Sequence, residues 1–208
     1  MKKIKTKIVS YILLLAIVFS SIIVVDNISG NSRTEAAKAK VAKIEKTYNS
    51  RNGKTKEVYT AKTSSGKIVW RYNKLPFREA AQFDYSDYCV RDNKVYIWAE
   101  STLHVLNKNT GKCILKKNVG CYGNGAVAVD AKGYIYGAPA DGSTITKLNS
   151  KGKVVWDTTV PDKYSPGCTY DIKISKGKLK VYCEFCDYEY FIFNSKTGKF
   201  IKPGPKIG

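Results

Sequence analysis

The chain has 208 residues, room for one domain behind a targeting segment. Its 36 Lys and Arg against 17 Asp and Glu give a net charge of +19, which directs it toward polyanions. A single histidine and one close cysteine pair fall short of the four ligands of a structural zinc site. No Ser-His-Asp order, phosphate-cradling glycine loop or metal-binding helix motif is present either.

At the N-terminus Lys2, Lys3, Lys5 and Lys7 precede an uncharged run from Ile8 to Val25, and Asp26 opens a polar stretch. That order predicts an apolar helix serving as an export signal or membrane anchor over residues 1–39, linker included. A small-x-small site at Ala37-Lys38-Ala39 offers cleavage, while the length of the run equally suits a retained single-pass anchor of ~18 to 20 residues. In both cases the remainder faces outward, secreted or at the cell surface. No cysteine near the run supports a lipid anchor. Residues 40–208 carry 30 basic and 15 acidic side chains, net +15. Outside a cell the polyanions to expect are wall polymers, acidic glycans and lipid headgroups, with no specific nucleic acid; the plain alternative is an evenly lysine-rich solvated surface. Residues 40–56 read as a basic linker, as one further strand, or as a helical stalk through Ala36 to Lys46.

From residue 57 the chain repeats. AKTSSGKIVW from Ala61, LNKNTGKCIL from Leu106, LNSKGKVVW from Leu148 and FNSKTGKFI from Phe193 align, with Gly-Lys pairs starting at Gly66, Gly111, Gly152 and Gly198, spaced 45, 41 and 46. Each joins an apolar strand end, a polar turn, a Gly free to take positive φ and a new run of β-formers, so each is a hairpin. Upstream of the later three lie Val95-Tyr96-Ile97-Trp98, Tyr134-Ile135-Tyr136 and Leu179-Lys180-Val181-Tyr182. Each follows a turn and another short strand, which makes four antiparallel strands per repeat. Four strands in about 40 to 45 residues is the size of a β-propeller blade, which needs neighbours to bury its faces.

The turn Leu-Asn-x-x-Thr-Gly-Lys, followed by an apolar strand that closes on Trp70 or Trp156, resembles the repeat of pyrroloquinoline-quinone-type (PQQ-like) propellers over roughly residues 57 to 203. The resemblance implies an all-β, short β-propeller domain over residues 57–208. Complete blades are expected at about 85–118, 125–160 and 169–203, preceded by the last two strands of another, Glu57 to Lys62 and Lys67 to Tyr72. Three to four blades make a small or open ring, which a second copy would complete as a homo-oligomer. The quinone-binding members of the family the repeat resembles need a larger ring, so no cofactor is expected.

Six cysteines in an exported chain suggest disulfides. Cys121 and Cys168 each fall between the last strand of one blade and the first of the next, and form the favoured pair. Cys89 and Cys113 read as small buried hydrophobes. Cys183-Glu184-Phe185-Cys186 has redox or metal spacing, but residues three apart on a strand point to opposite faces; the pair can bond internally only if it lies in the turn itself. His104, in an alternating strand, reads as a packing residue. Tyr85, Tyr88, Tyr122, Tyr164 and Tyr170 fall in or beside the interblade connections and are the candidate ligand-binding residues, tyrosine being suited to sugar rings or a protein surface; they also suit half-wet strand positions. The expectation is a non-catalytic binding or scaffolding module on a Gram-positive-type cell, engaging an anionic glycan or a protein through one rim. The alternatives are an enzyme on extracellular polysaccharide with carboxylates among Asp84, Asp87, Asp171 and Glu184, and a truncated propeller remnant.

Overall fold

A computed structural model of the chain describes residues 40–79, 88–99, 101–120, 125–138, 144–164 and 167–208. The expected N-terminal segment, 1–39, lies outside the described residues. Residues 43–51 are strand β1 (Lys43–Arg51), not the stalk helix offered as one reading of Ala36 to Lys46. The cause is local: Asn52 and Gly53 take φ of 51° and 73°, the pair of left-handed residues that a two-residue hairpin requires. They fold β1 onto β2 (Lys54–Lys62) in register from Lys43↔Lys62 to Arg51↔Lys54.

Four antiparallel sheets follow one another along the chain. The first adds β3 (Ile68–Tyr72) beside one half of β2 and the short β4 (Arg78–Glu79) beside the other. The second is β5 (Tyr88–Arg91), β6 (Lys94–Ala99), β7 (Thr102–Asn107) and β8 (Cys113–Asn118). The third is β9 (Ala126–Val129), β10 (Ile135–Ala138), β11 (Thr144–Leu148) and β12 (Val154–Thr159). The fourth is β13 (Cys168–Ser175), β14 (Lys178–Glu184), β15 (Tyr190–Asn194) and β16 (Phe200–Pro203). The last three are simple meanders. All four Gly-Lys corners occupy the same place, joining β2 to β3, β7 to β8, β11 to β12 and β15 to β16, so β1–β3 correspond to the last three strands of the other sheets.

The corners are built alike. Asn107 Oδ1 accepts the amides of Asn109 and Thr110 at 2.9 and 3.0 Å, and Asn194 Oδ1 accepts those of Lys196 and Thr197 at 2.9 and 3.1 Å. An Asx side chain that closes its own turn in this way lets the following glycine reverse the chain.

Successive sheets stack because each strand run is apolar on both faces. In β6, Val95, Ile97 and Ala99 join the buried cluster shared with the first sheet, while Tyr96 and Trp98 join the cluster shared with the third. In β14, Leu179, Val181 and Cys183 pack toward the third sheet, with Tyr136 and Ile145 opposite. A residue near the end of each sheet then docks on the corner of the next: a Cβ on Gly111 would lie 2.7 Å from the ring of Trp70, one on Gly198 2.8 Å from Trp156, and one on Gly152 3.4 Å from Leu115. Three clusters make three interfaces; among the described residues no buried cluster joins the fourth sheet to the first.

Candidate functional site: a basic cavity on the corner rim

In a meander the first and third turns leave at one edge of the blade. That edge, the corner rim, carries the Gly-Lys corners and the β5–β6, β9–β10 and β13–β14 turns. Backbone bonds tie the two sets: Lys108 N to Asn93 O at 2.8 Å, and Ser195 N to Gly177 O at 2.9 Å. Between the third and fourth sheets the rim opens into a cavity of about 790 Å³ lined by Arg91, Lys132, Lys147, Lys176 and Lys196, with Asp130, Tyr134, Tyr136 and Ser195.

Lys147 is among its lining residues. The residue before the aligned apolar position of each repeat is Thr60, Val105, Lys147 and Ile192, and all four are buried. Only the third sheet puts an ammonium there. Lys147 is 5% exposed; its Nζ donates to the Ser195 carbonyl at 2.8 Å and lies 4.1 Å and 5.2 Å from the ring centres of Tyr134 and Tyr136. Burial lowers its pKa, and the charge of Asp130 offsets part of that loss. The Ser195 carbonyl is the repeat equivalent of the Lys108 carbonyl, which accepts the indole N–H of Trp70 at 2.7 Å. In the last interface Lys147 has taken that acceptor, and the Nε1 of Trp156 has no partner among the described residues. The tryptophan–carbonyl bond of the first interface is thus replaced at the last by one from a buried cation, and a local departure of this kind marks a place to look for function.

Asp130 is the carboxylate of the cavity and is engaged: Oδ1 accepts the amides of Lys132 and Tyr134 at 2.9 and 3.0 Å, and Oδ2 accepts the hydroxyl of Tyr136 at 3.0 Å. Burial first, then the neighbouring Asp130, push the Tyr136 phenol up, so it stays a neutral donor. Arg91 donates to the Val129 carbonyl at 3.1 Å through one of its guanidinium N–H groups. Several cations around one occupied carboxylate suit a carboxylate, sulfate or phosphate group.

Of the tyrosines expected to bind, the described ones do not line this cavity. Tyr85 and Tyr122 fall outside the described residues. Tyr88 packs edge-on to Tyr59 at 5.4 Å and donates to the Ile44 carbonyl at 3.3 Å, a contact between the first two sheets. Tyr164, in a turn of 3-10 helix (Asp162–Tyr164), packs on Tyr188, Phe191 and Phe200 at 5.5, 6.0 and 5.4 Å. Tyr170 stacks toward Tyr182 at 6.1 Å on the outer face of the fourth sheet, where burial and then Glu189 and Asp171 raise its phenol. Of the carboxylates, Asp84 and Asp87 lie outside the described residues, and Asp171 pairs with Lys173 at 3.4 Å. Cys168 is a free thiol and Cys121 lies outside the described residues. His104 is buried against Tyr72, whose hydroxyl shares a 2.8 Å hydrogen bond with Nδ1.

Lys147 was missed from the sequence because a lone lysine in a strand carries no signal by itself. The aligned repeats do carry one, since Lys replaces Thr, Val or Ile at a fixed position.

No family model and no curated protein matches the chain. Solved structures do. BamB from Moraxella catarrhalis is similar at 16% identity and TM-score 0.54 over 76% of this chain and 50% of that one. The computationally designed Ika8 protein matches at 13% and 0.52, over 78% and 50%. The Pan2 WD40 domain of Neurospora crassa matches at 11% and 0.52, over 77% and 51%. The chain therefore spans about half the length of each. With four stacked four-stranded sheets and a WD40 domain among its neighbours, the chain has a β-propeller fold.

Proposed function

We propose that this protein is an exported, non-catalytic binding module at the cell surface that holds an anionic glycan through the corner rim. The observation that carries the reading is the buried Lys147, placed in a cavity with Arg91, Lys132, Lys176 and Lys196 where the sister blades carry uncharged residues. The charge of +15 on residues 40–208 adds a long-range attraction to the same class of partner. Glycoside hydrolysis needs two carboxyl groups flanking one bond; the cavity supplies Asp130, already bound by two amides and a hydroxyl, and this favours binding over hydrolysis. Tyr134, partly exposed beside the cations, offers flat apolar area of the kind that sugar rings stack on.

The test is titration with polygalacturonate, a polymer of uronic acid, at low and high salt. Affinity should fall as ionic strength rises. Lys132→Gln with Lys176→Gln should weaken binding by about tenfold. Lys54→Gln with Lys67→Gln, the same charge change on the first sheet, should have at most a small effect. Equal losses in the two double variants would show that bulk charge alone drives capture and would overturn the assignment of the rim.

A further inference from the structure

We propose that Cys183 and Cys186 form a disulfide that staples the β14–β15 turn of the last blade. In a straight strand these residues would face opposite ways, but β14 ends at Glu184 and the chain bends through residues 185–187 with Phe185 at φ 59°. That reversal brings Cys186 back onto the buried cluster to which Cys183 belongs, both as free thiols. The Cys186 thiol donates to the Tyr188 carbonyl at 2.8 Å, and Cys183 has Thr169 Oγ1 at 3.9 Å.

The other described thiols are not placed to pair with Cys183. Cys168 lies opposite Glu184 and Thr169 opposite Cys183, so the pleat turns Cys168 and Cys183 to opposite faces of the sheet. Cys89 and Cys113 belong to the second sheet and to different buried clusters. The position also has a use for a staple. Among the described residues the fourth sheet is covered by a neighbour on one face only, and the turn projects Phe185, 76% exposed. A cross-link holds such a turn without a further blade beside it.

Oxidation by thiol–disulfide exchange balances with a low-molecular-weight disulfide such as oxidised glutathione. The Cys186 thiolate, from the more accessible of the two residues, attacks one glutathione sulfur; the glutathione S–S bond breaks and one glutathione leaves. Cys183 then loses its proton and attacks Cys186 Sγ, forming the internal bond and expelling the second glutathione. Two cysteines are oxidised, one disulfide is reduced, and the two protons leave on the two glutathione thiols. Burial holds the Cys183 thiol up at about 12, so the second step is slow and quickens as pH rises. That suits a bond made once rather than one that cycles.

The experiment uses the full chain, purified reduced, incubated with oxidised glutathione at mildly alkaline pH, then denatured, alkylated and digested with trypsin. The peptide from Val181 to Lys196 contains both cysteines. It should take no alkylating label and be lighter than its reduced form by the mass of two hydrogen atoms, unchanged by Cys168→Ser. Cys186→Ser should leave Cys183 fully labelled. Two labels on the wild-type peptide, or Cys183 or Cys186 linked to any other peptide, would overturn the proposal; neither result bears on glycan binding, which titration reads separately.

Discussion

At Gly111 two demands fall on one atom. Its φ of 68° lies in the left-handed region, and the hydrogen that replaces a side chain faces the Trp70 ring, where a Cβ would come within 2.7 Å. Gly66 shares the first demand, with φ 85°, but has nothing within 4 Å. Gly66→Ala should therefore destabilise by about 1–2 kcal/mol, the cost of an L-residue in that conformation. Gly111→Ala should lose about 2–4 kcal/mol, because Trp70 must also move. Urea unfolding of the pair separates the terms, and equal losses would remove the docking role of the corner. His104 makes a second prediction at this scale. Burial first, then Lys116 on the neighbouring strand, pull it down to about 4 from an ordinary 6.5. Between those values the unfolded chain binds a proton that the folded one refuses, so stability falls as pH drops from about 6.5 toward 4, by up to about 3 kcal/mol. His104→Gln should flatten that slope, as read by urea midpoints at several pH values.

At the scale of the strand, Lys147 sits in β11 at a position that β7 and β15 fill with Val105 and Ile192. Desolvating an ammonium gives up hydration that one carbonyl and two ring faces replace only in part. Lys147→Ile should leave stability unchanged or raise it by about 1 kcal/mol, while weakening polygalacturonate binding. A loss of several kcal/mol, seen in thermal melts, would make Lys147 a structural residue instead. The same strands show what was legible beforehand. The corners at Gly66, Gly111, Gly152 and Gly198 could be read because turn chemistry is local, and a run such as Val95 to Ala99 betrays a sheet buried on both faces. The hairpin at Asn52-Gly53 carried an equally local signal, but polar flanks such as Ser50, Arg51 and Lys54 left a linker, a strand and a helical stalk all open. The cavity was not legible, since Arg91, Lys132, Lys147 and Lys196 meet only once the sheets stack. Tyr88 and Tyr164 allow both a ligand-binding and a packing reading, because rings that close an interface and rings that await a ligand have the same composition.

At the scale of the molecule, the docking series bears on what the two outer described sheets can meet. Trp70, Leu115 and Trp156 each stand four residues beyond their corner glycine, and the fourth repeat places Lys202 there, exposed. Gly66, the corner that a preceding blade would meet, is open. On the outer face of the fourth sheet the Lys173 ammonium lies 4.5 Å from the ring centre of Tyr182 and the Lys180 ammonium 4.2 Å from that of Tyr190, so charged groups sit on the rings of that face. Terminal repeats of stacked arrays carry such polar outer faces. Two copies joined end to end would double the number of sheets and match the longer propellers in length, but Lys202 of one would have to take the place that Trp or Leu fills at every internal interface. The chain should therefore sediment as a monomer, with the ring left open. Lys202→Trp restores the missing contact and should promote concentration-dependent association through the same face. A wild-type dimer that Lys202→Glu dissociates would reverse the argument, making Lys202 a contact between copies rather than the end of the array.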